Sequence, residues 1–238
     1  MAQTPIEEIR EKALDYSRNL PNFLCTQMTR RYTAKPVRNS GQPSWQPVDI
    51  LTIELSYFEQ KENYRLVKLN DKPTTKLINK LSGNQSRGDF GSVLRSVFQA
   101  DTQTTFSREP ESQVDGKPVM IFSYAIDLAH ARFGTYVMHN GHKRSISWAA
   151  KGEIYVDSKT LEVLRITRDS VDIPPDFPVQ ASHLELDYGR QKVGEQEFLL
   201  PLRSDSSSRF KDGKAAKEET VFTNYRKFTA DTAIQFEP

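Results

Sequence analysis

The chain has 238 residues, enough for one large domain or two small ones with a sizeable core. Its 33 Lys and Arg are nearly balanced by 31 Asp and Glu, leaving a net charge of +2. That balance makes no electrostatic case for nucleic-acid binding, which depends on a concentrated basic face. A mean hydropathy of −0.63, and no run near the ~20 apolar residues of a membrane helix, read as a soluble chain.

Cys25 is the single cysteine, so no intrachain disulfide and no CxxC motif is available. It lies in "NFLCTQMTRRY" between apolar neighbours, the setting of a buried structural thiol and not of a nucleophile. The opening "MAQTP" reads as a start Met placed before a processed mature end. The expectation is a periplasmic or secreted protein whose signal peptide has been removed, and the single cysteine fits a cytoplasmic protein equally well.

The segment "TPIEEIREKALDYSRNLPN" predicts a helix over 5–20. Thr4 is a cap, Pro5 suits the first helical position and Glu7 completes a capping box. Ile6, Ile9, Ala13, Tyr16 and Leu20 form one apolar stripe, and Pro21 ends it. From residue 23 the period changes to two. "FLCTQMTRRYTA" is a strand, "RNSGQPSWQP" a turn-rich break, and "DILTIELSYFEQ" with "ENYRLVKLN" a hairpin.

Residues 71–100 interrupt this pattern. Gly83, Gly88 and Gly91 precede a helix-period run in which Phe90, Val93, Leu94, Val97 and Phe98 share one face, with Asp89 as cap. Strands then resume. "KPVMIFSYAIDLA" aligns Met120, Phe122, Tyr124, Ile126 and Leu128 on one side. "FGTYVMHN", "KRSISWAAKG", "EIYVD", "LEVLRITRD", two or three strands over 178–210 broken at "GRQKVGEQ", and "EETVFTNYRKF" complete a meander over 117–228. About ten strands joined by short turns predict an α+β fold. Its core is a single strongly curved antiparallel sheet, an incomplete barrel with an N-terminal helix and a short inserted lid helix. No βαβ alternation supports a parallel sheet. The Pro-rich "DIPPDFPVQ" reads as a crossing loop, so residues 1–238 are expected to form one domain.

Candidate chemistry is sparse. His139 and His142 form "HNGH", a turn-borne pair with no third ligand nominated, and it reads as a solvated turn without metal. GxSxG, SxxK and HExxH are absent. Asp157, Glu162, Asp169 and Asp172 read as surface acids and not as a glycosidase pair. The aromatics are more informative. A large sheet with one apolar face and two helices to cover it implies a greasy hollow under a lid.

The order of elements, with the hairpin "IYVDSKTLEVLRI" from Ile154 to Ile166, resembles the periplasmic lipoprotein-carrier superfamily. That group spans LolA-like carriers, their outer-membrane receptors and the half-barrel of a sigma-factor regulator. The "LPNFLCTQ" and "GDFGSVL" segments also resemble those of exported bacterial proteins. The resemblance implies a half-barrel whose concave side takes acyl chains or an apolar protein segment, with 76–81 and 90–98 as lid.

The expectation is therefore a non-enzymatic protein that binds a lipid or other amphipathic ligand and needs no cofactor. The proposed lining is Phe90, Val93, Leu94, Val97 and Phe98 on the lid and Met120, Phe122, Tyr124 and Ile126 on the sheet. Its partners would be a lipid, an acyl chain or an apolar protein segment, with a peripheral membrane encounter and no nucleic acid. The competing expectation is a protein or cell-wall interaction module whose core is filled by its own side chains.

Overall fold

The computed structural model describes residues 5–36, 43–81, 90–114, 116–139 and 142–228. Helix α1 (Pro5–Asn19) is followed by β1 (Phe23–Ala34), β2 (Trp45–Phe58), β3 (Lys61–Leu69) and the two-residue β4 (Lys72–Pro73). A 3-10 turn at Ile78–Lys80 leads towards α2 (Ser92–Phe98), a second 3-10 turn at Ala100–Thr102, and the short strands β5 (Thr105–Arg108) and β6 (Ser112–Val114). Then come β7 (Lys117–Ile126), β8 (Gly134–His139), β9 (His142–Ser147), β10 (Ala149–Asp157) and β11 (Val163–Val171). The last three strands are β12 (Val179–Val193), β13 (Gln196–Phe210) and β14 (Ala215–Lys227).

Every paired strand is antiparallel, and the main sheet runs β4-β3-β2-β1-β14-β13-β12-β11-β10-β7-β5, with β6 beside β7. Its two ends do not pair, so the barrel stays open. The first and last strands of the chain meet in mid-sheet, where Thr29 faces Thr220. The expected α+β curved antiparallel sheet is what the chain forms.

Several boundaries differ from the sequence expectation, each for a local reason. β5 and β6 are too short to show a period in sequence; pairing with β7 defines them. β8 and β9 pair only with each other, outside the main sheet. The expected break at "GRQKVGEQ" narrows to the turn at 194–195. Lys192 and Val193 stay paired with Glu197 and Gln196, and Val193 is buried. Leu128, expected on the inner face, is 50% exposed because the strand ends at Ile126 and a 3-10 turn carries it outward.

Helix α2 begins at Ser92. Its N-cap is Gly91, at φ 83, a left-handed conformation that glycine adopts without a Cβ clash. Phe90 therefore precedes the helix, against the expected 90–98 stripe. The expected caps Thr4 and Asp89 lie outside the described residues, as do Gly83 and Gly88.

The hairpin of β10 and β11 turns on Asp157, whose Oδ1 accepts the backbone N–H of Lys159 at 2.8 Å and of Thr160 at 2.9 Å. Those two N–H groups hold the carboxyl below the usual carboxylate range. Within β10 Gly152 lets a ring cross the strand. A Cβ there would lie 2.1 Å from the Thr167 carbonyl oxygen and 2.9 Å from Tyr124 Cε1. Tyr124 reaches over from β7 and donates its hydroxyl to the Thr167 carbonyl at 2.7 Å, while the N–H of Glu153 bonds Thr167 Oγ1 instead. Gly152→Ala is expected to destabilise the protein by about 1–3 kcal/mol, because backbone must move to admit the methyl. Urea unfolding of the variant measures this, and an unchanged midpoint contradicts the crossing.

Candidate functional site

The concave face is where α1 and α2 sit. Its composition follows from the cross-strand register, because directly paired residues share a face. One row crosses the sheet as Leu51, Thr29, Thr220, Ser204, Leu186, Ile166, Ile154 and Phe122. All eight are buried. The next row reads Asp49, Arg31, Glu218, Ser206 and Leu184. The inner face thus has an apolar wing on β7, β10, β11 and β12, a second on β2 and β3, and a polar stripe on β1, β14 and β13 between them.

The larger wing packs against both helices. Ile9 and Ala13 of α1 and Val93, Leu94, Val97 and Phe98 of α2 join Met120, Phe122, Tyr124, Ile126, Ile154, Ile166 and Leu186 in one buried cluster. Eight of the nine lining residues read from the sequence therefore meet in one place. Phe90 does not join them. It sits in a neighbouring aromatic cluster with Phe23, Tyr57 and Phe222. There the backbone N–H of Phe90 donates to Glu62 Oε1 at 3.1 Å, so Glu62 of β3 holds the chain just before the helix. The small cluster of Leu51, Ile53 and Leu66 is flanked by Ile78 and Leu81 from the expected lid segment 76–81.

The seven residues of α2 are too few for a helix to persist alone in water. Five of them are buried, Ser96 among them with its hydroxyl on the Val93 carbonyl at 2.6 Å. The helix is held by side-chain packing; its ends, Gly91 in left-handed and Gln99 in extended backbone, do not continue into the sheet.

The polar stripe was not legible in the sequence. Gln27, Thr29, Arg31, Ser204, Glu218 and Thr220 are each at most 5% exposed. Thr29 Oγ1 and Thr220 Oγ1 are 2.9 Å apart, and Gln27 Nε2 donates to Thr29 Oγ1 at 3.1 Å. Arg31 makes a two-pronged pair with Asp49, Nε and Nη2 each 2.7 Å from a carboxylate oxygen. Among the described residues, Gln27 Oε1 is buried without a hydrogen-bond partner, as are the hydroxyls of Tyr16 and Tyr57. Leaving such an atom unsatisfied costs about 1–3 kcal/mol.

The remaining sequence candidates scatter. His183 of β12 meets Asp169 of β11 at 2.8 Å, both half-exposed. Glu162 pairs with Arg190 and Asp157 is held in its turn. The side chains of His139 and His142 lie outside the described residues. No three His, Cys, Asp or Glu side chains converge on a common point among the described residues.

No family model matches the chain and no curated protein matches it. Among solved structures it is similar to a LolA superfamily protein from Nitrosomonas europaea, at 11% identity over 99% of both chains and a TM-score of 0.45. It is also similar to a DUF1329 family protein from Desulfovibrio piger, at 12% identity over 99% of this chain and 98% of that one, TM-score 0.42. A third is a domain named for outer-membrane lipoprotein sorting from Vibrio parahaemolyticus, at 10% identity over 95% and 94%, TM-score 0.40. The similarity runs nearly end to end. It adds nothing to the architecture that strand order and register already define.

Burial pushes the phenols of Tyr16, Tyr57 and Tyr124 and the Cys25 thiol upward, and Glu62 adds to the shift for Tyr16, Tyr57 and Cys25. These groups stay neutral in the fold, whereas unfolded thiols ionise near pH ~8.5 and phenols near ~10. Their contribution is complete below the unfolded values and lost as pH rises towards the native ones. The melting temperature should fall progressively above about pH 8.5, and a thiol reagent should label Cys25 only on unfolding. A flat alkaline profile, or rapid labelling at neutral pH, contradicts this.

Proposed function

We propose that residues 1–238 act as one non-enzymatic domain that binds a lipid or other amphipathic guest on the concave face, in the periplasm or outside the cell. The observation that carries the reading is α2. A short apolar helix that owes its structure to docking occupies the hollow of an open sheet, and what docks through side chains alone exchanges for another apolar body. The floor beneath is itself amphipathic, with apolar wings either side of a polar centre.

The magnitudes are compatible with exchange. Four buried side chains of the Val, Leu and Phe kind are worth roughly 6–12 kcal/mol at about 1.5–3 kcal/mol each. An acyl chain recovers about 0.8 kcal/mol per methylene, so a chain of roughly eight to fifteen methylenes replaces them. The buried, protonated Cys25 also tolerates an oxidising compartment.

A second reading, a protein or cell-wall interaction module with a self-filled core, is favoured by the β8–β9 hairpin. It stands outside the main sheet, presents Tyr136 at 54% exposure under Lys143 Nζ, and is tied by Arg144 to the Asp176 carbonyl at 3.1 Å.

The variant Leu94→Ala separates the two. It should destabilise the protein by about 2–5 kcal/mol in either case. If α2 competes with a guest, the same variant raises affinity for a fluorescent acyl probe and lipid is recovered from the wild-type protein by native mass spectrometry. Destabilisation with no probe uptake in either protein supports the interaction module and ends the carrier reading.

A further inference from the structure

The polar stripe is the feature of the concave face that packing does not explain. A buried Arg–carboxylate pair is often no more stabilising than apolar residues of the same volume. Threonines facing each other across two central strands could likewise be valines at little cost, since removing both partners of a hydrogen bond leaves nothing unsatisfied. The fold alone thus does not call for this chemistry at mid-sheet. The stripe also has a direction. Along β1 its inner-face residues pass from buried Gln27 through Thr29 and Arg31 to exposed Thr33 at the strand's end.

Resting on the reading of the concave face as a guest site, we propose that this stripe is the head-group end of that site. We propose further that it selects a head group that donates hydrogen bonds and carries no negative charge, such as the hydroxyls of a monoacylglycerol.

Two observations set the chemistry. Gln27 is 95% buried by its 5% exposure, its amide nitrogen is used on Thr29, and its carbonyl oxygen has no partner among the described residues. An unmet acceptor requires a donor, which a hydroxyl or amide brings and a carboxylate does not. In the next row of the same face the register sets Arg31 between two carboxyl side chains, Asp49 in one neighbouring strand and Glu218 in the other, so acids outnumber the base in that row. A phosphate or carboxylate entering there meets repulsion and no unmet donor from Gln27.

Isothermal titration of the whole protein with 1-monopalmitoylglycerol and with palmitate at pH 8 tests this, because the two share a chain and differ at the head. Wild type should prefer the neutral lipid by about tenfold, the scale of one hydrogen bond plus an avoided repulsion. Gln27→Met keeps the side-chain volume and removes the acceptor. It should cut that preference to about threefold or less, because the hydrogen-bond share is lost and the repulsion of the carboxylate remains. Equal binding of both lipids to wild type overturns the head-group assignment and leaves the guest site standing. An unchanged preference in a folded Gln27→Met protein overturns the role of Gln27. Binding of neither lipid overturns the guest site itself. The wild-type comparison needs no variant, so it decides the selectivity even if Gln27→Met fails to fold.

Discussion

The inner face of a sheet that does not close must be shielded by elements the sheet itself cannot supply, and here α1 and α2 do so. Most of the architecture follows from that constraint. The twelve-stranded sheet leaves β4 and β5 unpaired with each other, so the concavity has no lid of its own making. Ile9 and Ala13 on one helix and Val93, Leu94, Val97 and Phe98 on the other complete the larger core cluster. Neither element is held by strand pairing. The stability of the covering therefore resides in side-chain contacts, which are non-directional and replaceable, whereas the sheet beneath is fixed by register.

The same constraint accounts for the conformations stored at the margins. Gly91 starts α2 in left-handed backbone, and Glu62 receives the N–H of Phe90 just before it. Tyr124 crosses β10 at Gly152 and binds the backbone of β11, which commits one of the expected lining residues to holding three strands together. A lining residue can thus be structural and still form part of the wall.

Against this apolar covering, the polar centre on β1, β14 and β13 is costly. Charged and hydroxyl side chains lie under the fold where alternating aliphatic residues serve elsewhere in the same row. Its internal bonds, Arg31 to Asp49 and Thr29 to Thr220, offset much of that cost and leave the Gln27 carbonyl outstanding.

Much of the framework is legible in the sequence by itself. The strand "FLCTQMTRRYTA" appears with its expected bounds, the 3.6 period of residues 5–20 gives α1, and the alternation of Met120, Phe122, Tyr124 and Ile126 puts all four on one buried face. These are local properties, since backbone sterics and side-chain period depend on near neighbours alone. What only the tertiary structure decided is which faces are covered. In "TQMTRRYT" the apolar Met28 and the aromatic Tyr32 fall on the opposite side from Gln27, Thr29, Arg31 and Thr33, so the period reads those four as the solvated side. Gln27, Thr29 and Arg31 became interior because the last strand, β14, returned to pair with the first, β1, placing both in mid-sheet. Burial of that kind is set by partners nearly two hundred residues away along the chain, as Thr29 and Thr220 are, 191 apart, and no local pattern encodes it.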